Sequence, residues 1–250
     1  MKMKAKIQIF VFLVAFAVIG GISSISHAQL TAVGPVDVGT GFPAWFRDIP
    51  GLQLGPCDVI NEDPVNNGTN LPPCPTLILN NFGGGFVPGN ITDFAYYRAV
   101  ARFDPLGLVI PDSRLRIDLR GEPGTVINQV EVRLRTVPVV GDYSVVTPFG
   151  TFVVPVNNLN ETIVILPGAA QGITADNFVG ALAGNVEFFF TNGTGNLVNP
   201  ALGTFWGDGA TPAPLLMPPG FVLPPDGALT FRVIGPLGSG VDAAQPNFTV

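Results

Sequence analysis

Carboxylates are the main groups with which this sequence could catalyse a reaction. The three lysines lie at positions 2, 4 and 6 and the one histidine is His27, so all four would be lost with a short N-terminal segment. Without them the chain has neither the base of a Ser-His-Asp triad nor the amine of a Schiff-base enzyme. What survives is a carboxylate pair of the glycoside hydrolase kind. The acidic residues in or beside predicted strands are Asp118, Glu131, Glu187 and Asp208.

These carboxylates do not by themselves predict an active site. Any two of the 18 acidic residues can be imagined close together. Asp118 and Glu131 also have a structural explanation as partners of nearby arginines. Because catalysis requires a geometry that the sequence does not supply, we predict that the protein is not an enzyme. We assign no catalytic, cofactor-binding or metal-binding residue and expect no cofactor.

The first 28 residues have the three parts of a secretory signal peptide. Three lysines within the first six residues form a basic head, residues 7–19 are almost wholly apolar, and Ser26-His27-Ala28 presents small residues to a signal peptidase. The apolar run is short for a membrane anchor. We therefore predict cleavage after Ala28 and a secreted or extracytoplasmic protein without a membrane span.

The charge left after cleavage excludes several classes of partner. Nine arginines would face 18 acidic residues, which leaves a net charge of −9. That balance provides no basic patch for nucleic acid and is ill suited to an anionic membrane surface. The absence of histidine excludes histidine-ligated zinc, copper and haem. Calcium would need the acidic residues of 58–63, whose order fits no calcium loop that we can justify.

Cys57 and Cys74 are the only cysteines, and both would be exported. In an oxidising compartment, an even pair in a polar loop predicts a disulfide. The enclosed segment is rich in Asn, Asp and Pro and could not order itself by burial. In the chain-entropy model, closing a loop of this size stabilises the protein by roughly 3 kcal/mol.

Aromatic side chains are the candidate interaction residues. Phe42, Trp45 and Phe46 place three aromatics within five residues and could stack on a sugar ring. We favour burial for this group, because large aromatic side chains usually lie in the core. Burial of both tryptophans would argue against carbohydrate binding. The candidates are Trp45, Phe46, Trp206 and Phe248.

Strict alternation predicts the strands at the centre of the fold. Residues 114–120 carry charge at even positions and aliphatic side chains at odd positions, and residues 129–135 reverse that parity. A period of two indicates a strand with one face in the core and the other in water.

The charges also predict a register for these two strands. An antiparallel pair must match even with odd positions if the two strands are to share faces. Pairing Arg120 with Glu131 and Asp118 with Arg133 would bring opposite charges together twice, each worth roughly 0.2–1 kcal/mol.

The rest of the chain predicts short strands joined by turns. One helix is predicted at residues 176–184, with Asp176 or Thr174 as its cap and Gly184 as its stop. With 31 glycines, 25 prolines and 47% hydrophobic residues, we expect an all-β fold of one or more antiparallel β-sandwiches with Pro/Gly-rich loops and at most one short helix. The further predicted strands cover residues 95–103, 143–146, 151–154, 162–166, 186–190, 229–233 and 248–250.

Three regions are predicted along the chain. They are a signal peptide at 1–28, a disulfide-containing N-terminal region with a central β-sandwich at 29–168, and a C-terminal β lobe at 169–250 packed on the first.

Several motifs, taken in order, resemble a group of secreted bacterial β-rich proteins. They are Gly41-Phe42-Pro43-Ala44-Trp45-Phe46-Arg47-Asp48, Cys57, Gly141-Asp142-Tyr143-Ser144-Val145-Val146-Thr147-Pro148-Phe149-Gly150, Gly207-Asp208-Gly209-Ala210-Thr211-Pro212 and Phe231-Arg232-Val233-Ile234-Gly235-Pro236. The group has similar Gly-Phe-Pro-x-Trp-Tyr-x-Asp and Tyr-x-Val-Thr-x-Pro-Tyr-Gly signatures. This chain departs at Phe149, where the group favours tyrosine, and lacks the histidine often found before Pro148. The Gly-x-Tyr-x-Val element also resembles Ig-like and transthyretin-like modules. The resemblance implies export and a β fold, and no catalytic residue can be carried over.

Two classes of function remain. The first is a secreted or surface-exposed, non-enzymatic protein that acts in adhesion, assembly or protein interaction by binding itself or a cell-surface protein or glycan. The alternative is a carbohydrate-binding module or a carboxylate-dependent glycoside hydrolase. The first is favoured because sheet edges are often blocked by lysine, and none would remain after cleavage. Residues 247–250 end in a strand pattern that could complete its own sheet or be added to that of a neighbour.

Overall fold

The computed structural model describes residues 30–38, 41–55, 57–58, 94–194 and 211–250. Within these residues the protein is all-β, with several antiparallel sheets and no helix of seven residues or more, which confirms the predicted fold class. The strands are Ala32–Val33 (β1), Phe46–Arg47 (β2), Gln53–Leu54 (β3), Cys57–Asp58 (β4), Phe94–Arg102 (β5), Arg114–Glu122 (β6), Thr125–Arg135 (β7), Gly141–Thr147 (β8), Gly150–Val156 (β9), Glu161–Ile165 (β10), Ala170–Ile173 (β11), Ala213–Pro214 (β12), Phe231–Ile234 (β13), Asp242–Gln245 (β14) and Asn247–Phe248 (β15).

Two larger sheets contribute to one hydrophobic core. The central sheet has the order β10-β7-β6-β5-β4, with β11 also paired to β7, and the second has the order β14-β13-β8-β9. Their inward side chains, such as Ile117 and Val130 from the first and Tyr143 and Phe231 from the second, are fully buried. The sheets cross the predicted boundary at residue 168, because β11 pairs with β7 and β13 pairs with β8. The residues after 168 therefore complete sheets that begin before it.

The hairpin of β6 and β7 corrects the predicted register. Even positions do pair with odd ones, but Arg116 lies opposite Glu131 and Arg114 lies opposite Arg133. The strands are joined by the two-residue turn Pro123-Gly124, in which Gly124 has a φ of +76°. The predicted register would have left residues 123–128 as a loop. The tight turn instead extends β7 through Val126, which is fully buried in the core, and this burial outweighs a second cross-strand ion pair.

Residues 186–190 are buried but do not form the predicted strand. Side chains from other elements form hydrogen bonds with part of their backbone. The Asn128 amide donates to Val186 O at 3.0 Å and its carbonyl oxygen accepts from Val186 N at 2.7 Å. The Tyr97 hydroxyl donates to Phe190 O at 3.2 Å. A strand pattern can therefore be buried without a neighbouring strand when side chains supply the missing hydrogen bonds.

The predicted helix consists of two 3-10 helices, Thr174–Asp176 and Val179–Ala183. Asn177 and Phe178 separate them with φ angles of 54° and 65°. Gly184 follows the second helix, as predicted. Left-handed residues cannot continue a helix, so the two short turns do not merge.

The C-terminal strand completes the protein's own sheets. In β15, Phe248 pairs with Ala213 of β12. Thr249 and Val100 of β5 exchange two backbone hydrogen bonds of 2.9 Å. This strand is therefore already paired and is not available as a donor to another chain.

Candidate functional site

Most of the arginines lie on one face of the central sheet. Seven of the nine that would remain after cleavage are on β5, β6 and β7. Their cross-strand pairing places them on the side opposite the core. We call this surface the arginine face. Its members are Arg98, Arg102, Arg114, Arg116, Arg120, Arg133 and Arg135.

Asp118 lies at the centre of the arginine face and is fully buried. Arg98 reaches it from β5, with its Nε 3.0 Å from Oδ1 and its Nη2 3.2 Å from Oδ2. Arg116 places its Nε 3.3 Å from Oδ2 and extends its Nη2 to within 2.8 Å of Glu131 Oε2. Burial lowers the pKa of the Arg116 guanidinium, and the charges of Asp118 and Glu131 oppose that change. One arginine therefore bridges both buried carboxylates.

The arginine face corrects the prediction that this side of the strands lies in water. Arg116 and Glu131 are only 8% and 7% exposed, and Gln129 is 5% exposed. The alternation predicts which side chains share a face, but it does not predict how deeply that face is buried. Arginine partners hold Asp118 and Glu131, which is the arrangement that the sequence predicts for these two carboxylates.

Of the other two candidate carboxylates, the structure describes only Glu187. Glu187 is buried, and Asp208 lies outside the described part of the chain. No group of three or more His, Cys, Asp or Glu side chains within that part could hold a metal ion.

Asp48 is a buried carboxylate that sequence reasoning missed. Its Oδ1 accepts from Leu52 N at 2.7 Å and its Oδ2 accepts from Phe189 N at 3.3 Å. Burial raises the pKa of this carboxyl to about 6, although the backbone N–H groups lower it. The side chain therefore joins the β2–β3 turn to segment 186–190, which is not part of a strand. The motif Arg47-Asp48 before a turn was the only available signal.

The predicted interaction residues do not form one surface. Phe46 and Phe248 are fully buried, and Phe46 packs edge-to-face on Tyr96 with ring centroids 4.7 Å apart. Neither phenylalanine can contact a partner without local unfolding. Trp45 is half-buried, and the Arg47 guanidinium lies 4.9 Å from the centroid of its ring. Trp206 lies outside the described residues.

The predicted disulfide stays a prediction. The backbone of Cys57 forms part of β4, where it pairs with Ala95. Cys74 and most of the enclosed loop lie outside the described residues. The predicted signal peptide also lies there.

The outer edge of β10 is the candidate functional site. Two hydrogen bonds show which residues of β10 bond to β7. Leu166 N donates to Val130 O at 2.9 Å, and Thr136 N donates to Asn160 O at 3.0 Å. Backbone groups in an antiparallel ladder alternate between the partner strand and the opposite side. Even residues of β10 therefore bond to β7, and Glu161, Ile163 and Ile165 direct their backbone N–H and C=O groups outward.

Two exposed isoleucines accompany these outward groups. Ile163 lies opposite Arg133 and Ile165 lies opposite Glu131, so both continue the arginine face to its edge. They are 53% and 42% exposed. The sequence Glu161-Thr162-Ile163-Val164-Ile165 contains no lysine or proline that would block pairing with another strand.

The edge strand β9 is protected in a way that β10 is not. The backbone groups of Thr151, Val153 and Pro155 also point away from the partner strand β8. Asp226 Oδ2 accepts from Thr151 N at 3.0 Å, and Pro155 has no N–H to offer. On this comparison, β10 is more open to pairing than β9, which is one edge strand of the second sheet.

Comparisons with known proteins assign no family. No protein-family model, no curated protein and no solved structure matches this chain. The resemblance to secreted bacterial proteins therefore stays a prediction. No helix in the described residues is long and apolar enough to cross a membrane.

Proposed function

We propose that this protein is an exported, non-enzymatic module that assembles with a second copy of itself through β10. The observation that carries the proposal is the row of outward backbone groups on this strand, flanked by exposed Ile163 and Ile165. Strand addition at a sheet edge satisfies such groups and gains specificity from the side chains beside them.

A second copy fits because the edge is symmetric about Ile163. In an antiparallel pair centred there, Ile163 meets its own counterpart and Glu161 meets Ile165 of the other copy. Each outward residue would then belong to a hydrogen-bonded pair, in which the two residues exchange both backbone hydrogen bonds. The contact would contain about six hydrogen bonds in total. The two copies would be related by a twofold axis, so the assembly closes as a dimer.

The charges are compatible with this register. Glu161 is held by Arg133 and Arg135 of its own chain. In the proposed register it lies opposite an isoleucine, and the two glutamates are about 13 Å apart along the strands. No like charges are therefore directly opposed.

The contact is short, so the association should be weak. An antiparallel pair of five residues buries less surface than a permanent dimer requires. We expect a concentration-dependent dimer with a Kd on the order of 100 μM. Assembly of this strength responds to local concentration, as it would at a crowded surface.

A matched pair of proline variants tests the proposal. Ile163→Pro removes an outward N–H from β10, and Val153→Pro removes the equivalent N–H from protected β9. Neither change breaks a hydrogen bond within its own sheet. Sedimentation equilibrium up to millimolar concentration should show a dimer for the native protein and for Val153→Pro, with Ile163→Pro at least about tenfold weaker.

Three results would contradict the proposal. They are a native protein that stays monomeric throughout this range, an Ile163→Pro variant that dimerises normally, and equal weakening by Val153→Pro. Circular dichroism should show that both variants keep their β structure. The carbohydrate alternative gains little from the geometry, because Phe46 is buried and Arg47 stacks on Trp45.

A further inference from the structure

Four loops meet at one end of the molecule, and we call this region the loop end. They are residues 103–113, 136–140, 157–160 and 235–241, which connect strands of both larger sheets. Ser113 Oγ accepts from Arg135 N at 2.8 Å, which brings the first loop to the end of β7. Val137 N donates to Leu159 O at 2.9 Å and so joins the second loop to the third. The fourth loop lies against the start of β8, since a Cβ on Gly141 would stand 3.2 Å from Pro236.

Three leucine side chains at the tips of these loops are exposed to solvent. Leu106, Leu108 and Leu237 are 91%, 101% and 106% exposed. Side chains so exposed lie against no neighbour, so they form separate projections rather than one flat patch. Three further aliphatic side chains at this end are about half exposed, namely Val109, Val140 and Leu159.

The loops that carry the leucines are held in defined conformations. Asp104 Oδ1 accepts from Leu106 N at 2.8 Å, and Asp104 O accepts from Gly107 N at 2.9 Å. Ile110 is 1% exposed and anchors the same loop in the core. In the fourth loop, Gly235 N donates to Val241 O at 2.9 Å. The fold therefore presents these leucines to the outside instead of letting them collapse onto the surface.

Several charged groups at the loop end are held in ion pairs. Asp112 forms ion pairs with Arg102 and Arg135, and Glu161 forms ion pairs with Arg133 and Arg135. The chain that would remain after cleavage has a net charge of −9. Asp104 and Asp142 add exposed acidic groups beside these loops, so the loop end suits an uncharged surface better than an anionic one.

We propose that the loop end inserts its leucines into a lipid surface with zwitterionic headgroups. Separate, fully exposed aliphatic tips suit a fluid hydrocarbon layer, which closes around each one. A rigid protein partner would need a pocket for each tip. The paired arginines and acids would lie at headgroup level with their charges satisfied. The net negative charge should weaken binding to anionic lipid.

Vesicle flotation tests this proposal independently of assembly through β10. The purified protein, with its N-terminus determined by mass spectrometry, is mixed with phosphatidylcholine vesicles or with vesicles that also contain phosphatidylglycerol. The apolar residues 7–19 must be absent, because they could bind vesicles themselves. We expect flotation with phosphatidylcholine, and less with the anionic mixture.

Paired variants locate the contact. Leu108→Ser with Leu237→Ser should weaken binding on the order of a hundredfold. The control, Val153→Ser with Val222→Ser, removes side chains that are 65% and 83% exposed and lie away from the loop end. It should bind as the native protein does. The Ile163→Pro variant should also bind normally, so failure of one proposal is distinguishable from failure of the other.

Three outcomes would overturn the inference. They are no flotation of the native protein with phosphatidylcholine, equal loss of binding in the control, and loss of self-association rather than vesicle binding in the leucine variant. The last result would place a second copy of the protein on these loops.

Discussion

Replacing Asp48 by asparagine tests the cause of its raised pKa. This carboxyl is 1% exposed, and its oxygens accept backbone N–H groups from Leu52 and Phe189. The asparagine side chain would keep the shape of the aspartate but could not titrate. It would also lose one of the two accepted hydrogen bonds, a cost that does not depend on pH.

The magnitude follows from the shift of the Asp48 pKa from 3.8 to about 6. The folded state binds this proton more tightly than the unfolded state. The stabilisation is therefore complete below pH 3.8 and is lost as the pH rises through 6. A shift of two units corresponds to about 3 kcal/mol. Burial is the largest cause of this shift. Burial also raises the pKa of the neighbouring Tyr97, and the charge of Asp48 adds to that effect.

Urea unfolding of the native protein and Asp48→Asn from pH 4 to pH 7 would measure this effect. The difference in free energy of unfolding, native minus variant, should fall by about 2 kcal/mol over that range. The difference removes contributions from other carboxyls. Burial by itself would raise the pKa of Asp112, but the ion pairs with Arg102 and Arg135 together lower it below 3.8. The effect of Asp112 therefore runs in the opposite direction and at lower pH. A difference that is constant with pH, or that rises, would refute the reasoning.

Three further predictions can be checked on the purified protein. Mass spectrometry of the exported form should find Gln29 at the N-terminus, and an intact Met1 in the membrane fraction would contradict cleavage. Cys57 and Cys74 should be linked, with no free thiol before reduction, and Cys57→Ser should lower the Tm. Asn128→Ala should lower the free energy of unfolding by at least about 2 kcal/mol, because it leaves buried backbone groups without partners. A loss below about 0.5 kcal/mol would show that these hydrogen bonds matter little.

The candidate site was only partly predictable. The pattern at residues 162–166 indicates a strand, and the absence of lysine indicates an edge that charge does not block. Which strand forms the open edge depends on sheet order, and β10 reaches that position because it pairs with β7 on one side alone. The C-terminal segment was the sequence-based candidate, and Val100 and Ala213 occupy its hydrogen-bonding positions instead.

The register shows a similar limit. Charge pairing favoured Arg120 opposite Glu131, but the Pro123-Gly124 turn and burial of Val126 set Arg116 there. A tight turn fixes the register of every later residue pair in a hairpin. One cross-strand ion pair, by contrast, stabilises the sheet by less than about 1 kcal/mol.

The sequence by itself determined the fold class, the positions of the main strands and which residues share a face. It could do so because period-two alternation and glycine or proline at turns act over a few neighbouring residues. Tertiary structure alone decided that Asp118 is buried among arginines, that Asp48 bonds to Phe189, and that leucines from separate loops project at one end. These features join residues far apart in the chain, and their burial and charge depend on neighbours that no local pattern specifies.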